Sequence, residues 1–263
     1  MKQHIIILTL LLIALEGRSQ RIARFSMYSS EVRDSFLIQI RLPKNYNKNY
    51  QYHHLYLTDG SLKIGNYILG KDSSWRANVP ENCLIITIAH YGNYRVKRQR
   101  DFLISDSTDT QADAWGKADQ FYFFLKNRLI PHINHTYGIK KSSAFIGHSF
   151  GGLFCVYTLF KFDKLFDRHF AISPSLWANH GKIMTVEETY SVAHDSLPAE
   201  LNLMAGGLEL FNMVLSGTRL FYRQINQRKY KQLHVNFYTV TNANHYSIIK
   251  PGVDNALQFY WQE

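Results

Sequence analysis

Apolar positions along this chain follow two rhythms. Short runs of β-branched and aromatic residues stop abruptly at Gly, Pro or Asp, and longer stretches repeat apolar residues every three or four positions. The first rhythm predicts strands over 36–42, 55–58, 84–89, 144–146, 170–172, 201–205 and 233–240. The second predicts helices over 111–135, 151–160, 211–227 and 253–261. The run 84–89 is apolar without alternation, as expected of a strand covered on both faces. Strands alternate with helices, which argues for βαβ units and an α/β fold: a three-layer sandwich around a mostly parallel sheet. No helix is predicted between the opening strands, so that edge is expected to be antiparallel. No linker composition or repeat interrupts 20–263, which reads as a single domain.

Residues 1–19 have a different character. Lys2 precedes an apolar run from Ile5 to Leu15, and small residues Gly17 and Ser19 follow. This is the layout of a signal peptide, so export to a periplasmic or extracellular space is expected, with no stable membrane anchor. Two cysteines cannot form a disulfide framework. Cys83 falls in a predicted strand and Cys155 in a predicted helix, so both are expected to be separately buried thiols.

The chemistry concentrates at Gly147-His148-Ser149-Phe150-Gly151-Gly152. G-x-S-x-G between a predicted strand and a predicted helix is the nucleophile elbow, a strained turn that lifts a serine hydroxyl above the carboxyl edge of a sheet. A serine needs a base. His245 follows the last predicted strand, where a base belongs after such a nucleophile. Glu209, just past the strand 201–205, is the candidate acid to hold its imidazole. Asp195 and Asp254 are weaker choices, and a Ser–His dyad is the remaining option. The backbone N–H groups of Phe150 and Ser61 are the candidate oxyanion donors, the second from the loop after strand 55–58.

Five segments resemble the Putative esterase family of α/β-hydrolases, in its enterobactin-esterase-like and esterase D-like branch. They are Tyr56-Leu57-Thr58-Asp59-Gly60, Arg98-Gln99-Arg100-Asp101-Phe102, the elbow, Ile172-Ser173-Pro174-Ser175-Leu176-Trp177 and Asn244-His245-Tyr246-Ser247-Ile248. The resemblance implies an α/β-hydrolase fold and an exported serine esterase working through an acyl-enzyme. It also implies a siderophore trilactone as the sharpest substrate candidate. Arg98, Arg100 and Trp177 become candidate substrate contacts. Thr58 stands where the family has Leu, and no Pro follows Phe102.

The net charge of +10 adds one expectation. Arg95, Lys97, Arg98 and Arg100 follow strand 84–89, at the catalytic end of a parallel sheet, and would favour an anionic small-molecule ester. Nucleic acid is not expected as a partner, because the basic residues read as a solvated face or an anion-attracting rim. His132 with His135, and His53 with His54, lack a third ligand at metal spacing, so no metal is expected. Phosphate-cradling motifs are missing, so no nucleotide cofactor is expected. The competing readings are a carbohydrate (acetyl or feruloyl) esterase, an acyltransferase, and an idle binding protein on a hydrolase scaffold.

Overall fold

The computed structural model describes residues 21–70, 77–105, 116–161, 163–209 and 213–260. The leader expected at 1–19, the start of the helix expected at 111–135, residues 211–212 of the third predicted helix and the end of the last one lie outside the described residues. The elements in chain order are β1 (Ile22–Ser29), β2 (Asp34–Arg41), β3 (Tyr52–Thr58), α1 (Lys63–Ile68), β4 (Cys83–His90), α2 (Tyr94–Phe102), α3 (Ala118–Phe124) and α4 (Ile130–Tyr137). They continue with β5 (Lys140–His148), α5 (Phe150–Leu159), β6 (Arg168–Ile172), α6 (Ala178–Ala193), β7 (Ser196–Gly206), α7 (Val214–Arg228), β8 (Lys231–Val240) and α8 (Ile249–Tyr260). A π-helical turn over Leu125–Leu129 joins α3 to α4 just before Pro131, which has no N–H to donate to the turn behind it.

The eight strands form one sheet in the order β1-β2-β4-β3-β5-β6-β7-β8. β1, β2 and β4 pair antiparallel, and β4 through β8 run parallel. The antiparallel edge follows from the sequence order, since β1 and β2 have no crossover helix between them. This is the three-layer α/β arrangement expected from the pattern, and the α/β-hydrolase fold that the resemblance implies. It contains two strands before Pro43, where the sequence pattern predicted one. β1 escaped because it is an edge strand whose polar residues Arg24 and Ser26 lie exposed.

The unbroken apolar run of β4 is divided between the two faces of the sheet. Leu84, Ile86 and Ile88 join Phe145, Phe154 and Phe121 in one core, beneath α3, α5 and α7. Cys83 and Ile85 join Leu57, Ile146, Ile64 and Val253 in the other, beneath α1 and α8. Successive strand residues point to opposite faces, so two cores need apolar residues at every position. Cys83 and Cys155 are buried free thiols, one in each core, and burial pushes both thiols up. Among the described residues, no helix is long and apolar enough to cross a membrane.

Two buried imidazoles lie near the start of parallel strands, at the edge opposite the elbow: His54 on β3 and His169 on β6. Burial pushes each down to about 4. The unfolded chain protonates them near pH 6.5, so between about pH 6.5 and 4 the unfolded state binds more protons than the native one. Their contribution is present above that window and is lost as pH falls through it, by up to about 1.4 kcal/mol per pH unit for each. Urea denaturation at pH 7.5 and 5.5 is expected to show the loss. His169→Leu should flatten the slope, and an unchanged slope would refute the assignment.

Candidate active site

Three strand ends and one loop converge at the carboxyl edge of the parallel sheet. At the end of β5 the chain turns into α5 through Ser149, which adopts φ 61° and ψ −121°. A side chain at Gly147 would collide with the Gly151 carbonyl, and one at Gly151 would strike Thr58, so only glycine allows this turn. Ser149 N–H donates to the Ile172 carbonyl (3.1 Å) and Ser175 N–H to the Ser149 carbonyl (3.1 Å), pinning the elbow to the segment after β6. The Ser149 hydroxyl is 3.3 Å from the Ser175 hydroxyl.

Glu209 follows β7 and is buried. Its Oε1 accepts from His245 Nδ1 at 2.6 Å, and its Oε2 accepts from the Ser173 hydroxyl (2.5 Å) and Gly206 N–H (2.7 Å). Burial alone would raise this carboxyl. The hydrogen bonds from His245, Ser173 and Gly206 outweigh it and hold Glu209 below the ordinary carboxylate range. A proton on Nδ1 facing Glu209 leaves Nε2 as the ring's basic nitrogen.

The His245 loop is built locally. Asn244 Oδ1 accepts from Tyr246 and Ser247 N–H (both 2.9 Å), and Ser247 Oγ accepts from Asn244 N–H (2.9 Å). His148, beside the elbow serine, donates from Nε2 to the His245 carbonyl (2.7 Å), and the two rings lie 4.7 Å apart. Burial, with the neighbouring His245, lowers His148 to about 3, so it stays a neutral donor.

Among the described residues, neither Phe150 N–H nor Ser61 N–H donates a hydrogen bond. Ser61 belongs to the turn after β3, where Asp59 takes φ 64° and its carbonyl accepts from Leu62 N–H (2.8 Å). Trp177, at the start of α6, is 40 % exposed.

Arg98 and Arg100 are not the free cations that the basic run suggested. Arg98 reaches both oxygens of Asp59 (2.7 and 3.0 Å) and the His148 carbonyl (3.2 Å). Arg100 reaches both oxygens of Asp101 (2.6 and 2.8 Å) and Asp34 (2.9 Å). Asp59 and Asp101 are buried, and a buried carboxylate claims whatever cation can reach it. Lys63 and Arg95 have no carboxylate partner among the described residues. Lys63 Nζ lies 5.6 Å from the ring centre of Tyr246, and Arg95 lies beside Tyr94 (3.5 Å to its hydroxyl). Ser173, Ser175, His148 and Asp59 were not singled out individually from sequence. Ile172–Trp177 held the only signal for the two serines, as a motif without assigned roles. Among the described residues, no group of three or more His, Cys, Asp or Glu is arranged to hold a metal ion.

The sequence profile of the family described as "Putative esterase" matches residues 29–206. The chain belongs to the Putative esterase family. The matched segment includes Asp59, Arg98 and Ser149 and ends before Glu209 and His245. Aspergillus fumigatus siderophore triacetylfusarinine C esterase is 27 % identical over 157 residues, 55 % of this chain and 53 % of that protein. Bacillus subtilis ferri-bacillibactin esterase BesA is 28 % identical over 149 residues, 55 % of this chain and 52 % of that protein. This chain thus spans about half the length of these curated relatives in the matched regions. Among solved structures, the BES protein from Bacillus cereus superposes with a TM-score of 0.75 at 21 % identity, covering 94 % of this chain and 98 % of that one. That likeness is one of fold, in agreement with the Putative esterase assignment.

Ser173 touches the carboxylate that holds His245. Ser173→Ala withdraws one of three donors from the buried Glu209 and is expected to cost about 1–3 kcal/mol of stability. Urea denaturation measures it, and a loss below about 0.5 kcal/mol would show that the bond is worth less than a typical buried one.

Proposed function

We propose that this chain is a serine esterase that hydrolyses carboxylic esters through an acyl-enzyme on Ser149. The observation that carries the reading is the His245–Glu209 hydrogen bond of 2.6 Å at the same sheet edge as a serine in elbow geometry. Ser149 Oγ attacks the ester carbonyl while His245 Nε2 takes its proton. Glu209 keeps the imidazole in the required tautomer and stabilises the imidazolium. The unengaged N–H groups of Phe150 and Ser61 receive the oxyanion. Collapse expels the alcohol with the proton returned by His245, and water then attacks the acyl carbon by the same route. In this structure the Ser149 hydroxyl meets the Ser175 hydroxyl at 3.3 Å. Catalytic hydrogen bonds commonly tighten only once substrate is bound.

The acyl donor in this reading is a siderophore ester, as the names of the relatives suggest, and it is anionic. Lys63 and Arg95, rather than Arg98 and Arg100, are the cations left to meet it, with Tyr94, Trp177 and Tyr246 as exposed aromatic surface. Export through a leader over 1–19 is part of the same proposal.

Ser149→Ala is expected to abolish p-nitrophenyl butyrate turnover by about 10³-fold or more, with the fold intact. It should also abolish labelling by a fluorophosphonate. A residual rate within about tenfold of wild type would mean another nucleophile. Glu209→Gln is expected to cost less, about 10²–10⁴-fold, and a silent substitution would leave a Ser–His dyad. Substrate charge is tested by kcat/KM for matched anionic and neutral esters at rising salt, with a ferric catecholate trilactone among them. The anionic preference should shrink with salt, since charges are screened beyond about 8 Å at physiological ionic strength.

A further inference from the structure

We propose that the Asp59–Arg98 ion pair is the positioning device of the oxyanion hole, locking the two loops that carry its backbone donors at a fixed separation. This rests on the reading of Ser149 as nucleophile with Phe150 and Ser61 N–H groups as donors. Asp59 lies two residues before Ser61. His148, whose carbonyl also accepts from Arg98, lies two residues before Phe150. A single guanidinium therefore bridges both halves of the hole, with Nε and Nη2 on Asp59 (2.7 and 3.0 Å) and Nη2 on the His148 carbonyl (3.2 Å).

The setting is a built one. The side chains of Asp59 and Arg98 are 2 % and 13 % exposed, and the guanidinium carbon is 5.7 Å from the ring centre of Phe150 and 5.8 Å from that of Phe102. Asp59 also holds a left-handed backbone, a conformation that costs a non-glycine residue and persists only where the surroundings enforce it. Gly60 N–H on the Ile88 carbonyl (3.0 Å) and Gln39 Nε2 on the Gly60 carbonyl (3.3 Å) hold the same turn from the sheet side. Arg98 closes it from the elbow side. Only a planar fork can serve a carboxylate bidentately and a carbonyl at once, which a lysine ammonium cannot reproduce. A donor moved by about 1 Å loses much of its value in the transition state, where charge on the oxyanion is greatest.

A pair that merely stabilises the fold would affect melting and leave turnover alone. The test measures kcat and KM on p-nitrophenyl butyrate, the rate of Ser149 phosphonylation by a fluorophosphonate, and the melting temperature. The variants are Arg98→Lys and the charge-neutral double variant Asp59→Asn/Arg98→Gln, in which Asn and Gln can still hydrogen-bond across the gap. For Arg98→Lys, kcat is expected to fall by about 10–100-fold with KM within about threefold, a fraction of the loss from deleting an oxyanion donor outright. Phosphonylation should slow in parallel, since the phosphoryl oxygen occupies the same hole. The double variant, which keeps hydrogen bonding across the gap but loses the charged bidentate fork, should lower kcat by a similar factor. A kcat within about threefold of wild type in either folded variant would overturn the proposal, whatever the melting temperature. A raised KM at unchanged kcat would overturn it too, by making Arg98 a substrate contact. If wild-type Ser149 is not phosphonylated at all, it is the underlying esterase reading that fails.

Discussion

A serine held at positive φ between a strand and a helix is the constraint from which the rest of this architecture follows. That backbone is costly, and it survives only where the neighbouring chain leaves no alternative. Gly147 and Gly151 supply the close approach, and the Ile172 carbonyl and Ser175 N–H clamp the turn from β6. The segment that clamps the serine also contains Ser173, which donates to Glu209, which in turn accepts from His245. His148, inside the turn, holds the backbone of His245. The loop after β8 is thus tied to the elbow twice, once through the acid and once through the neutral imidazole. A disturbance at any of these points reaches the others through bonds of known length.

Buried carboxylates organise the surroundings. Asp59, Asp101, Glu187 and Glu209 are all buried, and each is met by a basic group: Arg98, Arg100 with His90, Arg228, and His245. A carboxylate taken out of water is tolerable only when its oxygens are filled with hydrogen bonds, and an opposing arginine strengthens the case at Asp59, Asp101 and Glu187. These acids therefore dictate where cations go. The basic run after β4 looked like a surface for anions because the partners were invisible: Asp59 is 39 residues from Arg98 in sequence. Asp101 stands out in the sequence only as part of the 98–102 motif.

The parts of the fold that were legible are those where burial imposes a rhythm. β4 and the 144–146 stretch of β5 are apolar because both faces are covered there, and α5 is buried along almost its whole length. α2 and α6 left no such trace. α2 buries only Asp101 and Phe102, so its sequence reads as charge rather than as helix. α6 buries Ala178, Ile183 and Glu187 and begins with left-handed Asn179, His180 and Gly181. At the candidate site, Ser149, His245 and Glu209 could be singled out because chain order and strand ends mark where a candidate nucleophile, base and acid would fall in this fold. Ser173, Ser175 and His148 depend on which loops meet, and a single sequence does not contain that information without the sheet order.

Buried acids also limit what a formal charge of +10 can mean. Arg98, Arg100 and Lys97 lie within hydrogen-bonding distance of carboxylates, so at a distance each presents a dipole rather than a charge. Salt screens what remains within about 8 Å. The field at the mouth of the site is therefore a local matter, set by which cations lack a partner there. Lys63 and Arg95 are such residues, each lying against a tyrosine next to the site. The Lys63 ammonium beside the Tyr246 ring keeps its charge and gains an apolar neighbour, while Arg95 meets the Tyr94 hydroxyl. Selectivity for charge in this fold thus depends less on how many basic residues the chain carries than on which of them the buried acids leave unclaimed.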